Sequence, residues 1–149
     1  MNSGELCNRE VVIVERDETV QSAAKLMRQY HVGDLVVVEK RGGLAYPVGI
    51  LTDRDIVIEL IASEVAFEAV TVGDVMSSDL LTVSAEESIA DTVKLMRARG
   101  VRRVPVINKQ GVLEGIIAVD DLIELLAEQM NDLANLIGRE RKREEHKCV

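Results

Sequence analysis

Apolar and polar positions along this chain fall into blocks, and the series of blocks occurs twice. VVIV at residues 11–14 reads as a short strand of β-branched residues. After it, Val20, Ala23, Ala24 and Met27 stand at i, i+3, i+4 and i+7, the stripe of a helix with one buried face. LVVVE at 35–39 predicts a second strand and Arg41-Gly42-Gly43 a turn. PVGIL at 47–51 predicts a third strand that runs into a helix starting near Asp53. The series then repeats: LLTV at 80–83, with Leu80 marginal; Ile89, Thr92, Val93 and Met96 on a helix; RVPVI at 103–107. Gln110-Gly111 makes the turn, and LEGIIAV at 113–119 leads into a helix from near Val119. Each half is predicted as β-α-β-β-α.

The residues themselves repeat as well as the pattern. KLMR stands at 25–28 and again at 94–97, and residues 18–40 align with 87–109 without a gap at an offset of 69. Glu18/Glu87, Val32/Val101, Val37/Val106 and Lys40/Lys109 are identities. After Lys40 the first copy carries three extra residues, so GILTDRD at 49–55 aligns with GIIAVDD at 115–121 at an offset of 66. Such a duplication constrains the fold. Half a chain of this size buries too little apolar surface to stand alone, so the two units are expected to pack sheet against sheet around one core. The fold class expected is α/β (α+β), two repeats related by a pseudo-twofold axis. KLMR recurs because it lies on the same helix of both halves. Leu26 and Met27, with Leu95 and Met96, are expected to fill equivalent sites, while Lys25 and Arg28 face water. Ser84 with Glu87 has the form of a capping box, and Ser88 is the alternative cap.

Composition adds limits. The chain has 149 residues, 47% of them apolar but only 2% aromatic, so the core must be aliphatic. No apolar run approaches the roughly 18 residues that cross a bilayer. MNSGELCNRE at the start has no basic region followed by an apolar stretch, so no secretory signal is expected. Cys7 and Cys148 have neither disulfide-framework nor metal-ligand spacing and are expected as free thiols of a cytoplasmic protein. A net charge of −8 repels nucleic acid, and the basic run RERKR at 139–143 reads as a solvated helix end. There is no HExxH, Walker A or paired-Cys motif, and neither histidine has a partner pattern for activating a nucleophile. An enzyme is not expected.

Thr52-x-x-Asp55 stands where a strand gives way to a helix. The first turn of a helix offers unpaired N–H groups that can hold a phosphate, and a carboxylate can accept from both hydroxyls of a ribose. The same letters also spell a capping box that needs no ligand. GILTDRDI behind a helix, a valine-rich strand and a glycine turn, present twice, resembles the cystathionine-β-synthase (CBS) domain. The tandem resembles a Bateman module over about residues 8–130. The resemblance implies clefts between two repeats that bind an adenosine-containing ligand: AMP, ADP or ATP, with NAD and S-adenosylmethionine in the same class. No cofactor is required. It implies phosphate contact for Thr52 and ribose contact for Asp55 and, in the second copy, Asp121. Ala118 replaces Thr52 there, so Arg102 and Arg103 are the candidate phosphate ligands. Val12, Ile13 and Val14 in one half, with Leu81, Thr82 and Val83 in the other, are candidates to flank adenine or to be plain core. It also implies a homodimer that regulates an unidentified protein. The alternative is a module that dimerises or binds a protein with its clefts empty.

Beyond the second repeat, Val119, Ile123, Leu126, Met130, Leu133 and Ile137 are spaced 4-3-4-3-4, the heptad interval. The helix is expected to stop at Gly138, with Met130 to Ile137 covering a subunit interface. The domains expected are 8–66, 71–130 and a helical extension with a basic tail at 131–149.

Overall fold

The ends of the first long helix follow from its local chemistry. Thr19 caps it, accepting from the Ser22 N–H, and α2 runs over Val20–Tyr30. His31 closes it in the left-handed region, φ 55°. The equivalent helix α5, Ile89–Arg99, is capped by Ser88 and closed by Gly100 at φ 66°. Of the two serines open as caps, Ser88 takes the role. His31 is thus the counterpart of a capping glycine.

In this computed structural model residues 1–147 are described; Cys148 lies outside them. The elements are α1 (Ser3–Leu6), β1 (Ile13–Glu15), α2, β2 (Asp34–Arg41), β3 (Leu44–Thr52) and α3 (Asp53–Ile56) in the first half. The linker forms α4 (Val72–Val75), and the second half adds β4 (Val83–Ser84), α5, β5 (Arg103–Ile107), β6 (Leu113–Ala118) and α6 (Val119–Lys147). Past α3 the chain widens, with Ala62 N–H bonded to Val57 O at 2.8 Å and Val65 N–H to Leu60 O at 2.9 Å. Each half holds a three-stranded sheet, in the orders β1-β2-β3 and β4-β5-β6. β1 pairs parallel with β2, β2 antiparallel with β3, and β4 parallel with β5. The β-α-β-β-α repeat read from the sequence is the repeat observed, and two such repeats are related by pseudo-twofold symmetry.

The chain divides into two compact units, one of residues 1–117 and one that begins at Ala118. In the first unit, Val14, Ala23, Met27, Leu35, Val37, Leu51 and Val72 make one aliphatic cluster. Val36 and Val38, on the other face of β2, are also buried. Both faces of the strand are covered, which is why its sequence is a continuous apolar run rather than an alternation. Three expectations need correction. β1 and β4 are shorter and start later than the apolar runs that announce them, because the parallel ladder reaches only Ile13–Glu15 and Val83–Ser84. The buried stripe of α5 is narrow: Thr92 and Met96 are buried, but Val93 and Leu95 are exposed. The same holds for Ala24 on α2.

Val72 belongs to the cluster of the first repeat, yet it precedes the second. α4 sits on the first repeat: Gly73 N–H bonds Arg16 O and Val72 N–H bonds Glu18 O, both at 2.8 Å. Ser77 then exchanges backbone bonds of 3.0 and 3.1 Å with Ile50 of β3. α1 returns the arrangement on the second repeat. Gly4 N–H bonds Ala85 O at 2.8 Å and Ser3 N–H bonds Glu87 O at 2.9 Å, while Asn8 exchanges bonds of 2.9 and 3.0 Å with Ile116 of β6. Each repeat therefore lends its leading turn to its twin. Buried Ser3 and Thr92 share a hydrogen bond of 2.6 Å where the other half packs Val72 beside Ala23. Cys7, a free buried thiol, lies at the same crossing, and burial pushes its pKa up.

In the second unit α6 is a single helix of 29 residues. It does not stop at Gly138. A stop of that kind needs a left-handed residue, and Gly138 is not among the glycines with positive φ. A mid-helix glycine costs only about 1 kcal/mol, which the strong helix formers that follow can offset. Among the described residues no helix is long and apolar enough to cross a membrane.

The exchange of leading turns depends on two glycines. A Cβ on Gly115 would lie 2.6 Å from both Asn8 O and Cys7 Sγ; on Gly49 it would lie 2.7 Å from Ser77 O and Met76 Sδ. Gly115→Ala and Gly49→Ala should each lower stability by about 1–3 kcal/mol, measured as an earlier urea midpoint. Gly138→Ala, with open space around it, should not. Equal midpoints for all three would show that the crossing tolerates displacement.

Candidate functional site

β2 and β5 begin at equivalent places, Asp34 and Arg103. The twofold relation brings equivalent positions near its axis face to face. Arg103 Nε donates to Asp34 Oδ1 at 3.0 Å across the two repeats. Gly33, before Asp34, touches the start of α3: its carbonyl accepts from Asp53 N–H at 2.9 Å, and a Cβ there would stand 3.0 Å from the movable Asp53 Oδ2. Burial pushes the Asp34 carboxyl above the ordinary carboxylate range; Arg103 pulls it back only in part, and Asp53 adds to the rise.

Asp34 and Arg103 stand in the wall of an open cleft of about 290 Å³. Ile50 and Thr52 come from β3, Ser77, Asp79, Leu80 and Leu81 from the segment leading to β4, and Val101, Arg102 and Arg103 from the start of β5. The cleft is thus built by both repeats. Apolar walls with a few converging polar groups are the usual form of a small-molecule site. Asp79 is held by Arg99, whose guanidinium donates to its carboxylate at 2.7 Å and to its carbonyl at 3.2 Å.

Thr52 caps α3. Its Oγ1 accepts from Asp55 N–H at 3.1 Å, and its own N–H donates to Asp55 Oδ2 at 3.0 Å. The capping box is therefore formed. The Thr52 hydroxyl proton is not used by that bond, and Asp55 retains a second oxygen. Thr52 lines the cleft; Asp55 is not among its lining residues. In the second unit Asp121 makes half of the same box, accepting from Ala118 N–H at 2.9 Å. Ala118 has no hydroxyl to complete it.

The structure brings Thr52, Arg102, Arg103 and Leu81 together. Val12 lies elsewhere, in a groove with Glu10, Val11, Ile13, Leu26, Tyr30 and Val32. Val14 and Val83 are core residues, 1% and 3% exposed, and open onto neither. Each points into the core, while its strand neighbours Ile13 and Ser84 stay partly open. Sequence reasoning missed Asp34, Ser77 and Asp79. The signal for Asp34 was present: Gly33-Asp34 aligns with Arg102-Arg103, and opposite charges at equivalent positions of a twofold module can meet at its axis.

The family model for the CBS domain matches residues 4–62 and 72–128. The CBS domain-containing protein YhcV of Bacillus subtilis is 38% identical over 113 residues, which cover 76% of each chain. The uncharacterized protein MK0525 of Methanopyrus kandleri is 32% identical over 122 residues, 82% of this chain. The matched region spans only 61% of that relative's length. Among solved structures, the CBS domain pair of protein MJ0100, in complex with 5-methylthioadenosine and S-adenosyl-L-methionine, shares the fold. Its TM-score is 0.73 at 19% identity, covering 87% of this chain and 98% of that one. Two family matches along one chain, and a duplication visible in its own residues, make this protein a member of the CBS-domain family with two CBS domains in tandem.

Proposed function

We propose that the chain is a regulatory module that binds an adenosine-containing ligand in the cleft between its repeats. The observation that supports this is the meeting of Thr52, Asp34 and Arg103 on one cleft with apolar walls. Ile50, Leu80, Leu81 and Val101 offer apolar surface for a purine. The Thr52 hydroxyl and the Arg102 and Arg103 guanidiniums stand as donors for an anionic group. Asp55 and Asp121 keep the ribose role that the family resemblance implies, Asp55 with the oxygen that the Thr52 N–H does not use. Arg103 is held by Asp34 until a phosphate competes for it, so binding shifts Arg103 from one repeat's carboxylate to the ligand. That exchange is how occupancy would be felt by both repeats, since a ligand can shift an equilibrium only through unequal affinity for its states. On this reading the chain works as a cytoplasmic homodimer that regulates another protein and carries out no reaction itself.

A thermal-shift screen with AMP, ADP, ATP, NAD, S-adenosylmethionine and 5-methylthioadenosine tests the proposal; the last two are included because the MJ0100 domain pair binds them. At 100 times its dissociation constant a ligand adds about 2.7 kcal/mol to stability. Arg103→Gln should remove most of that gain for a phosphorylated ligand and little of it for 5-methylthioadenosine. No shift with any of the six would leave an interaction module with an empty cleft, a reading that the exposed apolar Val57, Ile58, Ile61 and Phe67 favour.

Asp34 carries a pH prediction. Its folded-state pKa is raised, mainly by burial, so ionising it costs the folded protein more than the unfolded chain. This cost appears as pH rises through the ordinary aspartate range and is complete above the raised value. Asp34→Asn should therefore melt higher than the parent at pH 7, with the difference shrinking as pH falls from the raised value towards the ordinary aspartate value and absent below it. A variant that melts lower at pH 7 would mean that the Arg103 contact outweighs burial.

A further inference from the structure

In the second unit every residue from 127 to 146 is exposed, although the helix carries a regular apolar stripe. Ile123, Leu126, Met130, Leu133 and Ile137 are each 55–71% exposed. A stripe at heptad spacing is the seam of a helix pair, and a helix of this length without a covered face is poorly stabilised in water. We propose that α6 pairs with α6 of a second copy of this chain, and that the pair is antiparallel.

Charge decides the orientation. Residues 119–137 hold five carboxylates (Asp120, Asp121, Glu124, Glu128 and Asp132) and no Lys or Arg. Arg139, Arg141, Lys142 and Arg143 follow within five residues. A parallel pair sets the acidic half against itself and the basic run against itself. It also places Glu140 and Glu144, which continue the heptad seam after Ile137, directly against their own copies. Like charges in that position are repelled. The antiparallel pair puts the basic run of each helix beside the acidic half of the other. In the register that stacks Leu126 on the second copy's Ile137 and Met130 on its Leu133, Asp120 flanks the seam beside the second copy's Arg141, and the outward-facing Glu124 and Asp121 share an end of the pair with its Arg139 and Lys142. Glu140 and Glu144 then meet Ile123 and Val119 at the ends of the seam instead of their own copies, so like charges are kept apart while the apolar layers from Leu126 to Ile137 close.

The test uses two full-length variants in a Cys148→Ser background, one Leu126→Cys and one Ile137→Cys. Both positions are solvent-exposed in the single chain, so neither substitution disturbs the core. Each variant is oxidised alone, and the two are also co-expressed and oxidised together. The expected result is a disulfide-linked dimer on a non-reducing gel from the co-expressed pair, with neither variant cross-linking alone. Cross-linking of each variant with itself would show a parallel pair and overturn the proposal. No cross-link in any sample would show that the stripe is not a self-pairing face, and would equally overturn it.

Discussion

Two short turns, each hydrogen-bonded to the repeat it does not belong to, hold this module together. α1 lies on the second repeat and α4 on the first, each ending in a pair of backbone bonds to the last strand it meets. Each bond is worth about 1 kcal/mol net, but leaving such groups unpaired when buried would cost more. The approach is possible because Gly49 and Gly115 present no side chain to the crossing backbone. One repeat cannot satisfy its own sheet edge in this arrangement, so the two halves are obliged to fold as one.

The cleft is a consequence of that exchange. α4 leaves the first repeat at Ser77, and the chain must then run past β3 to reach β4. The segment it lays down, Ser77 to Leu81, becomes one wall, opposite the strand starts that carry Asp34 and Arg103. The ion pair across those starts marks where the repeats meet. It also leaves a half-buried carboxylate in the cleft whose charge is unfavourable to the fold. Groups held at such a cost tend to lie where binding occurs.

The two halves are not equivalent in chemistry, despite the symmetry of their backbones. Thr52 completes a capping box that Ala118 cannot. His31 and Gly100 end equivalent helices, and Ser3 with Thr92 replaces an apolar contact by a hydrogen bond. Duplication preserved the places where backbones cross and let the surrounding side chains diverge. Identical charges at the axis would repel, and Asp34 opposite Arg103 avoids that.

The sequence alone determined the duplication, the order of elements in each repeat and the aliphatic core. These are carried by periodicity and by identities such as KLMR, which depend on near neighbours along the chain. It also carried the Thr52-Asp55 box, a contact between residues three apart. It did not show that residues 2–8 belong on the second repeat, although Gly4 and Gly73 stand at the same offset of 69 as the rest of the duplication. Nor did it separate Val12, on a groove, from Val14 and Val83, inside the core. It placed the helix stop at Gly138, where the backbone ignores it. Only the tertiary structure decided these points, since each depends on what distant segments bring to a residue: a crossing backbone, a packed core, or nothing at all.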